Sequence, residues 1–269
     1  MDAAANARQM RLRGDVILTA VVDEEYASAG TEAVVRGCRA GDHRADAAIV
    51  GEPSGLHIVT EHKGFAWFEI ETRGVAAHGS LPGVGVDAIA AMGRVLVALE
   101  AESARLAAAP PHRTLGTGSV HASLISGGQE LSSYPGSCLL QLERRTVPGE
   151  TPETAESELR AMLDRIGASD SRFSAALRRT FARNPMEADR GSPIVAALSA
   201  HVRGVTGRTA VLSAMSGWLD SALLDGAGIP TVVIGPGGEG LHGVEEWVDL
   251  DSVHACRDIV LGTLADFCR

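Results

Sequence analysis

Two styles of apolar patterning alternate along this chain, and the switch between them limits the fold more than any single motif. Near the start, "DVILTAVV" (residues 15–22) and "ADAAIVGEP" (residues 45–53) are short, apolar and rich in β-branched residues, as strands buried on both faces are. Between them "TEAVVRGCRA" has helical spacing, so this stretch reads as the strand–helix–strand unit of an α/β domain. From Phe65 the pattern changes. "FAWFEIETRG" alternates as a half-exposed antiparallel strand does, and "VDAIAAMGRVLVALEAE" has the apolar spacing of a helix.

The strands "SVHASLIS" and "CLLQLERRTV" follow, then the helix "TPETAESELRAMLDRIGA" and the strand "RFSAALRRTF". Thr151 is placed to cap that helix, Pro152 suits its first position, and Glu153 favours its N-terminus. The order β-α-β-β-α-β is that of a ferredoxin-like unit. After Asn184 and Pro185 the first style returns: helix "SPIVAALSAHVRGV", strand "AVLSAM", helix "LDSALLDGAG", strand "PTVVIGPG" and a helix from Asp251 to Phe267. The expected architecture is an α/β domain in two parts, residues 1–61 and 186–269, with an α+β domain inserted at residues 62–185.

Partners are limited by charge. Asp plus Glu outnumber Lys plus Arg by 34 to 24, giving a net charge of −10, and no basic run carries interleaved aromatics, which argues against nucleic acid. Four scattered cysteines without a Cys-x-x-Cys pair indicate neither a disulfide framework nor a thiolate zinc site, so a reducing, cytoplasmic setting is expected. "MDAAANARQMRLRG" has no apolar signal core and no run reaches the length of a spanning helix, so no membrane partner is expected either.

Chemistry is suggested where strands end. Asp23, Glu24 and Glu25 follow the first apolar run, and Glu52 follows the second, held between Gly51 and Pro53. Loops beyond strand carboxyl ends are where α/β proteins place ligands. Adjacent glutamates there are either a solvated turn or a hard-cation site, in which one carboxylate binds metal and its neighbour moves protons. His242 lies in the Gly/Pro-rich "GPGGEGLHG" and adds an imidazole. Carboxylates with imidazole suit zinc and related divalent ions, although a lone His is more often a surface or packed residue.

Together "DEE", "GEPS", "AAHGS", "ISGGQELSSYP", "RTVPGE" and "GIPTVVIGPGGEGLHGVEEWV" resemble, in order and context, the M20 metallopeptidase and deacylase family. Its members include acetylornithine deacetylases, succinyl-diaminopimelate desuccinylases, aminoacylases and carboxypeptidases. The resemblance implies a zinc-peptidase-like catalytic domain, N-terminally incomplete here, with an inserted ferredoxin-like dimerisation domain. It implies hydrolysis of an amide bond in an N-acyl amino acid or small peptide by metal-activated water, in a homodimer. Two Zn2+ ions per subunit are implied, with Co2+ or Mn2+ as alternatives.

By the same resemblance Glu24 is the general base, Glu25 and His242 share one metal, and Glu52 binds the other. His78 stabilises the oxyanion in a neighbouring subunit's site. Arg145 binds a substrate carboxylate, and Gly127 and Gly128 form a turn near it. Ser132 stands where the family commonly has Asn. Family members also carry, ahead of "DEE", a His-x-Asp motif and a Gly-x-x-Asp segment that supply further ligands; neither occurs here. Full activity is therefore expected only with that segment present. The alternative is a catalytically inactive homologue that dimerises or binds, and an unrelated α/β binding protein is the third reading. His43, His57, His62, His112, His121, His201 and His254 show no ligand spacing and are expected to be structural or exposed. Trp218 reads as a packed loop aromatic, and Asp220 as the cap of the helix that follows.

Overall fold

The structure is a computed structural model that describes residues 1–7, 10 and 12–268. The chain forms two compact units, one of Met1–His62 with Met186–Arg269, the other of Lys63–Pro185. In chain order the first unit opens with α1 (Asp2–Ala7), α2 (Ala29–Ala40), β1 (Ala48–Val50) and β2 (Ile58–His62).

The second unit holds β3 (Gly64–Arg73), β4 (Ala77–His78), α3 (Ala88–Ala107), β5 (Ser119–Gly127), β6 (Ser133–Tyr134), β7 (Ser137–Thr146), α4 (Pro152–Ser169) and β8 (Ser174–Arg183). Its main sheet is antiparallel in the order β5-β7-β3-β8, the strand order of the ferredoxin-like unit that the pattern predicts. Alternation decides which side chains are buried. Phe68, Ile70, Leu140 and Leu142 point inward and pack against Met92, Val95 and Leu99 of α3 and Leu159 and Met162 of α4. Along β7 the same period of two splits the Arg-Arg pair. Arg144 is 2% exposed and ion-paired to Glu150 and Glu158, whereas Arg145 faces the other way. The second helix starts as its sequence predicts, with Thr151 accepting a hydrogen bond from the Thr154 N–H, and Asp87 caps α3 in the same way by accepting from the Ala90 N–H.

The chain returns to the first unit with β9 (Met186–Glu187), α5 (Pro193–Thr206), β10 (Leu212–Met215), α6 (Ser221–Asp225), β11 (Thr231–Val233), β12 (Gly238–Glu239), β13 (Trp247–Val248) and α7 (Leu250–Phe267). Its sheet runs β1-β11-β2-β10, with β9 also on β2. β1 with β11 and β10 with β2 are parallel, while β11 meets β2 antiparallel at Val233 and Val59. Ile58, Val232 and Ile234 from the sheet region pack against Ile194, Leu198 and Ile259 of α5 and α7.

Two differences from expectation stand out. Residues 15–22 form no strand. Ile17, Leu18 and Val22 are exposed, because no described strand runs alongside to complete a ladder, and β-branched composition alone does not supply one. Conversely, β2 goes unannounced by apolar pattern because its Thr60, Glu61 and His62 are polar, yet all five of its residues are buried. Glu61 is buried because Arg190 donates to it from Nε at 3.0 Å, and His62 because its Nε2 lies 3.0 Å from Ser221 Oγ. Among the described residues no helix is long and apolar enough to cross a membrane.

Candidate functional site

The acidic triplet sits in a tight turn over residues 23–28. Asp23 has φ 69° and Ser28 has φ 60°, left-handed values that non-glycine residues seldom adopt. The Asp23 carbonyl accepts from the N–H groups of Ala27 and Ser28 at 3.1 and 2.5 Å, and its Oδ2 accepts from the Ala29 N–H at 3.2 Å. Asp23 is thus spent on building the turn. Gly30 follows because a Cβ there would lie 2.5 Å from the Val22 nitrogen. The turn presents Glu24 half-buried and Glu25 exposed.

Glu52 follows β1 and is held by the loop after β11. A Cβ on Gly235 would come within 2.1 Å of the Glu52 carbonyl oxygen, and the Gly235 N–H donates to Ser54 Oγ at 3.0 Å. His242, with φ 58°, tops the exposed loop between β12 and β13.

These groups share one electrostatic neighbourhood. Burial pushes the Glu24 carboxyl up to about 7, with further upward pressure from Glu52, Asp220 and Glu25 and relief from His242. Glu52 is raised as well, by burial first and then by Asp220 and Glu25. Desolvation and like charge both favour the neutral acid, so the cluster is a pocket short of positive charge. Asp220 is the residue that sequence reasoning missed. It occupies the position before α6, but its side chain does not cap that helix. Its Oδ2 instead accepts from Thr31 Oγ1 at 2.5 Å, and its buried Oδ1 has no hydrogen-bond partner. A cap-like Asp after "SGWL" carried no signal of this, since its partner lies 189 positions away. Trp218 is a packed aromatic, set edge-on to the His62 ring with centroids 6.2 Å apart.

The fit to a divalent cation can be judged from these donors. In charge and chemistry they suit one: carboxylates, an imidazole and an orphaned buried carboxylate oxygen. They are not preassembled as a cage, for no group of three His, Cys, Asp or Glu able to hold a metal occurs among the described residues. Beside Glu52 and His242 opens a cavity of about 670 Å³ lined by Pro53, His57, Met215, Leu241 and Trp247.

The remaining candidates lie in the second unit. β4 pairs with β6, setting His78 opposite Ser133, and the Gly79 N–H donates to the Ser132 carbonyl at 2.7 Å. The Ser80 N–H points at His78 Nδ1 at 3.3 Å. Ser80 Oγ lies closer to the same Nδ1, at 2.8 Å, and the His78 ring is exposed. Arg145 gives its Nε to Glu143 at 2.7 Å, and its guanidinium lies 5.3 Å from the centroid of the Phe65 ring. Gly127 ends β5 and Gly128, with φ 78°, turns the chain; contrary to expectation this turn is not near Arg145, because β5 pairs Gly127 with Cys138 at one end of β7 and Ser119 with Arg145 at the other.

Residues 60–171 match the family described as peptidase dimerisation domain. Over its whole length the chain is 30% identical to 68% of an acetylornithine deacetylase of Myxococcus xanthus. Over 96% of its length it is 27% identical to 66% of an N-formyl-4-amino-5-aminomethyl-2-methylpyrimidine deformylase of Bacillus subtilis. It thus spans about two thirds of the length of these relatives. Among solved structures, aminopeptidase PepT from Bacillus cereus superimposes with a TM-score of 0.70 at 18% identity, covering 89% of this chain and 63% of that one, which shows the fold.

Proposed function

The chain belongs to the M20 family of metallopeptidases and deacylases, and on that premise we propose that it is built to hydrolyse the amide bond of an N-acyl amino acid or small peptide. One observation carries the proposal: Glu24 stands half-buried among Glu52, Asp220 and Glu25, an acidic neighbourhood that raises its carboxyl above the ordinary range and suits it to take up a proton. Glu24 takes a proton from the attacking water as the oxygen bonds to the carbonyl carbon. It then delivers that proton to the nitrogen as the C–N bond breaks.

Glu25 with His242 would hold one divalent cation and Glu52 would contribute to holding a second, Zn2+ with Co2+ or Mn2+ as alternatives, and these would supply positive charge that favours ionised water and a polarised carbonyl. His78, exposed on β4, offers an imidazole N–H to the developing oxyanion of a neighbouring copy's substrate. Arg145 offers its guanidinium to a substrate carboxylate, as its planar fork suits. The cavity beside Glu52 would take the substrate's side chain.

A homodimer through the second unit is part of the proposal. β5 lies at the edge of its sheet with Leu124 and Ile125 exposed, and α3 exposes Ile89 and Val97, an edge and an apolar face that a second copy would cover. A second reading, a dimerising protein without turnover, is favoured by the absence of a preassembled three-donor group among the described residues. Hydrolysis of a panel of N-acyl amino acids, with and without added Zn2+, Co2+ or Mn2+, separates the two. Metal-dependent turnover that Glu24→Gln abolishes supports the enzyme. A dimer with no turnover under any metal supports the second reading.

A further inference from the structure

The turn over residues 23–28 has two left-handed non-glycine residues, and Ser28 is wholly buried with an unpartnered Oγ. Such a backbone holds its shape only if its surroundings over-determine it. The bonds inside the turn, from Tyr26, Ala27 and Ser28 to the Asp23 carbonyl, close it locally. A buried side-chain bond ties the helix that follows it to α6. Thr31, in the first turn of α2, donates its hydroxyl to Asp220 Oδ2 at 2.5 Å, and both residues are nearly inaccessible at 4% and 3% exposure. Asp220 is itself fixed by its neighbour, since Ser221 meets His62 on the fully buried β2.

We propose that Asp220 is a positioning residue: its bond to Thr31 clamps the turn that carries Glu24 and Glu25 to the sheet-anchored start of α6. The inference rests on the reading of Glu24 as the base, and it adds to it a part that no motif marks. Thr31 supplies the donor and Asp220 the acceptor, so the two side chains act as one unit. Oδ1 is buried without a hydrogen-bond partner, and the Asp220 charge raises the proton affinities of Glu24 and Glu52.

The test is amide hydrogen exchange on the full chain, beside turnover of an N-acyl amino acid. Thr31→Val removes the donor with little change of shape, and Asp220→Ala removes the acceptor. Each should speed exchange at Tyr26, Ala27 and Ser28 by about tenfold, with β3 amides unchanged. Thr31→Ser and Asp220→Asn keep a donor and an acceptor, so both should restore protection. Where turnover is measured, Thr31→Val should lower kcat about tenfold and leave KM in place. Unchanged exchange at 26–28 in Thr31→Val overturns the clamp, as does an equal acceleration of every slow amide. An unmutated chain without turnover defeats the functional reading alone, and exchange still decides on the clamp.

Discussion

Residues 15–22 and β3 are both apolar segments that read as strands, yet they end in opposite states. In β3 Phe68 is 1% exposed, and the strand is paired on both sides, with β7 and with β8. In residues 15–22 Leu18 is 57% and Val22 69% exposed, with no ladder on either side. The difference lies in the neighbours. A strand's backbone groups are satisfied by other strands, so propensity becomes structure only where the topology supplies a partner on at least one flank.

If burial and not composition separates these regions, the largest effect belongs to the paired one. Phe68→Ala should cost about 3–5 kcal/mol by urea unfolding, because it opens a cavity among α3, α4 and the sheet. Next comes the helix behind that sheet. Thr151→Ala removes the bond from the Thr154 N–H and should cost about 1 kcal/mol, read as a lower urea midpoint with an unchanged slope.

The electrostatic contrast inside the first unit depends on pH. Glu24 has a folded-state pKa near 7 against 4.5, so folding favours its protonated form. Its stabilising contribution is present in full below about 4.5 and is lost as pH rises through about 7. Glu24→Gln should therefore melt progressively higher than the unmutated chain as pH rises from about 4.5 to 8. Added Zn2+ should shrink that gap by neutralising the pocket. A gap that stays constant with pH would place Glu24 outside the acidic neighbourhood. Smallest of all, Leu18→Ser in the unpaired segment should change stability by no more than about 0.5 kcal/mol, measured in the same urea series. A larger loss would show that residues 15–22 are buried in solution.

Local rules were legible wherever neighbours in sequence are neighbours in space. Alternation marked β3, 3.6-residue spacing marked α3, and Thr151 with Pro152 marked the start of α4. The acids Glu24, Glu25 and Glu52, with His242, stood out by residue type, though Glu24 and Glu25 follow a segment that forms no strand, and the first unit places them within electrostatic reach of one another. Asp220 was not, because its value lies in Thr31 and in two glutamates far away along the chain. Nor was β2, whose buried Glu61 and His62 look like surface residues until Arg190 and Ser221 are seen beside them.

By itself, then, the sequence determined the class of each domain, the order of most elements and the chemical character of the acidic site, since those follow from short-range periodicity, capping and charge. Tertiary structure alone decided which apolar run finds a ladder, which polar side chains can be buried, and which acid is clamped to the Glu24 turn. Those outcomes depend on partners brought together across the chain, and the free energy of burying a polar or extended segment is set by the partners it meets there.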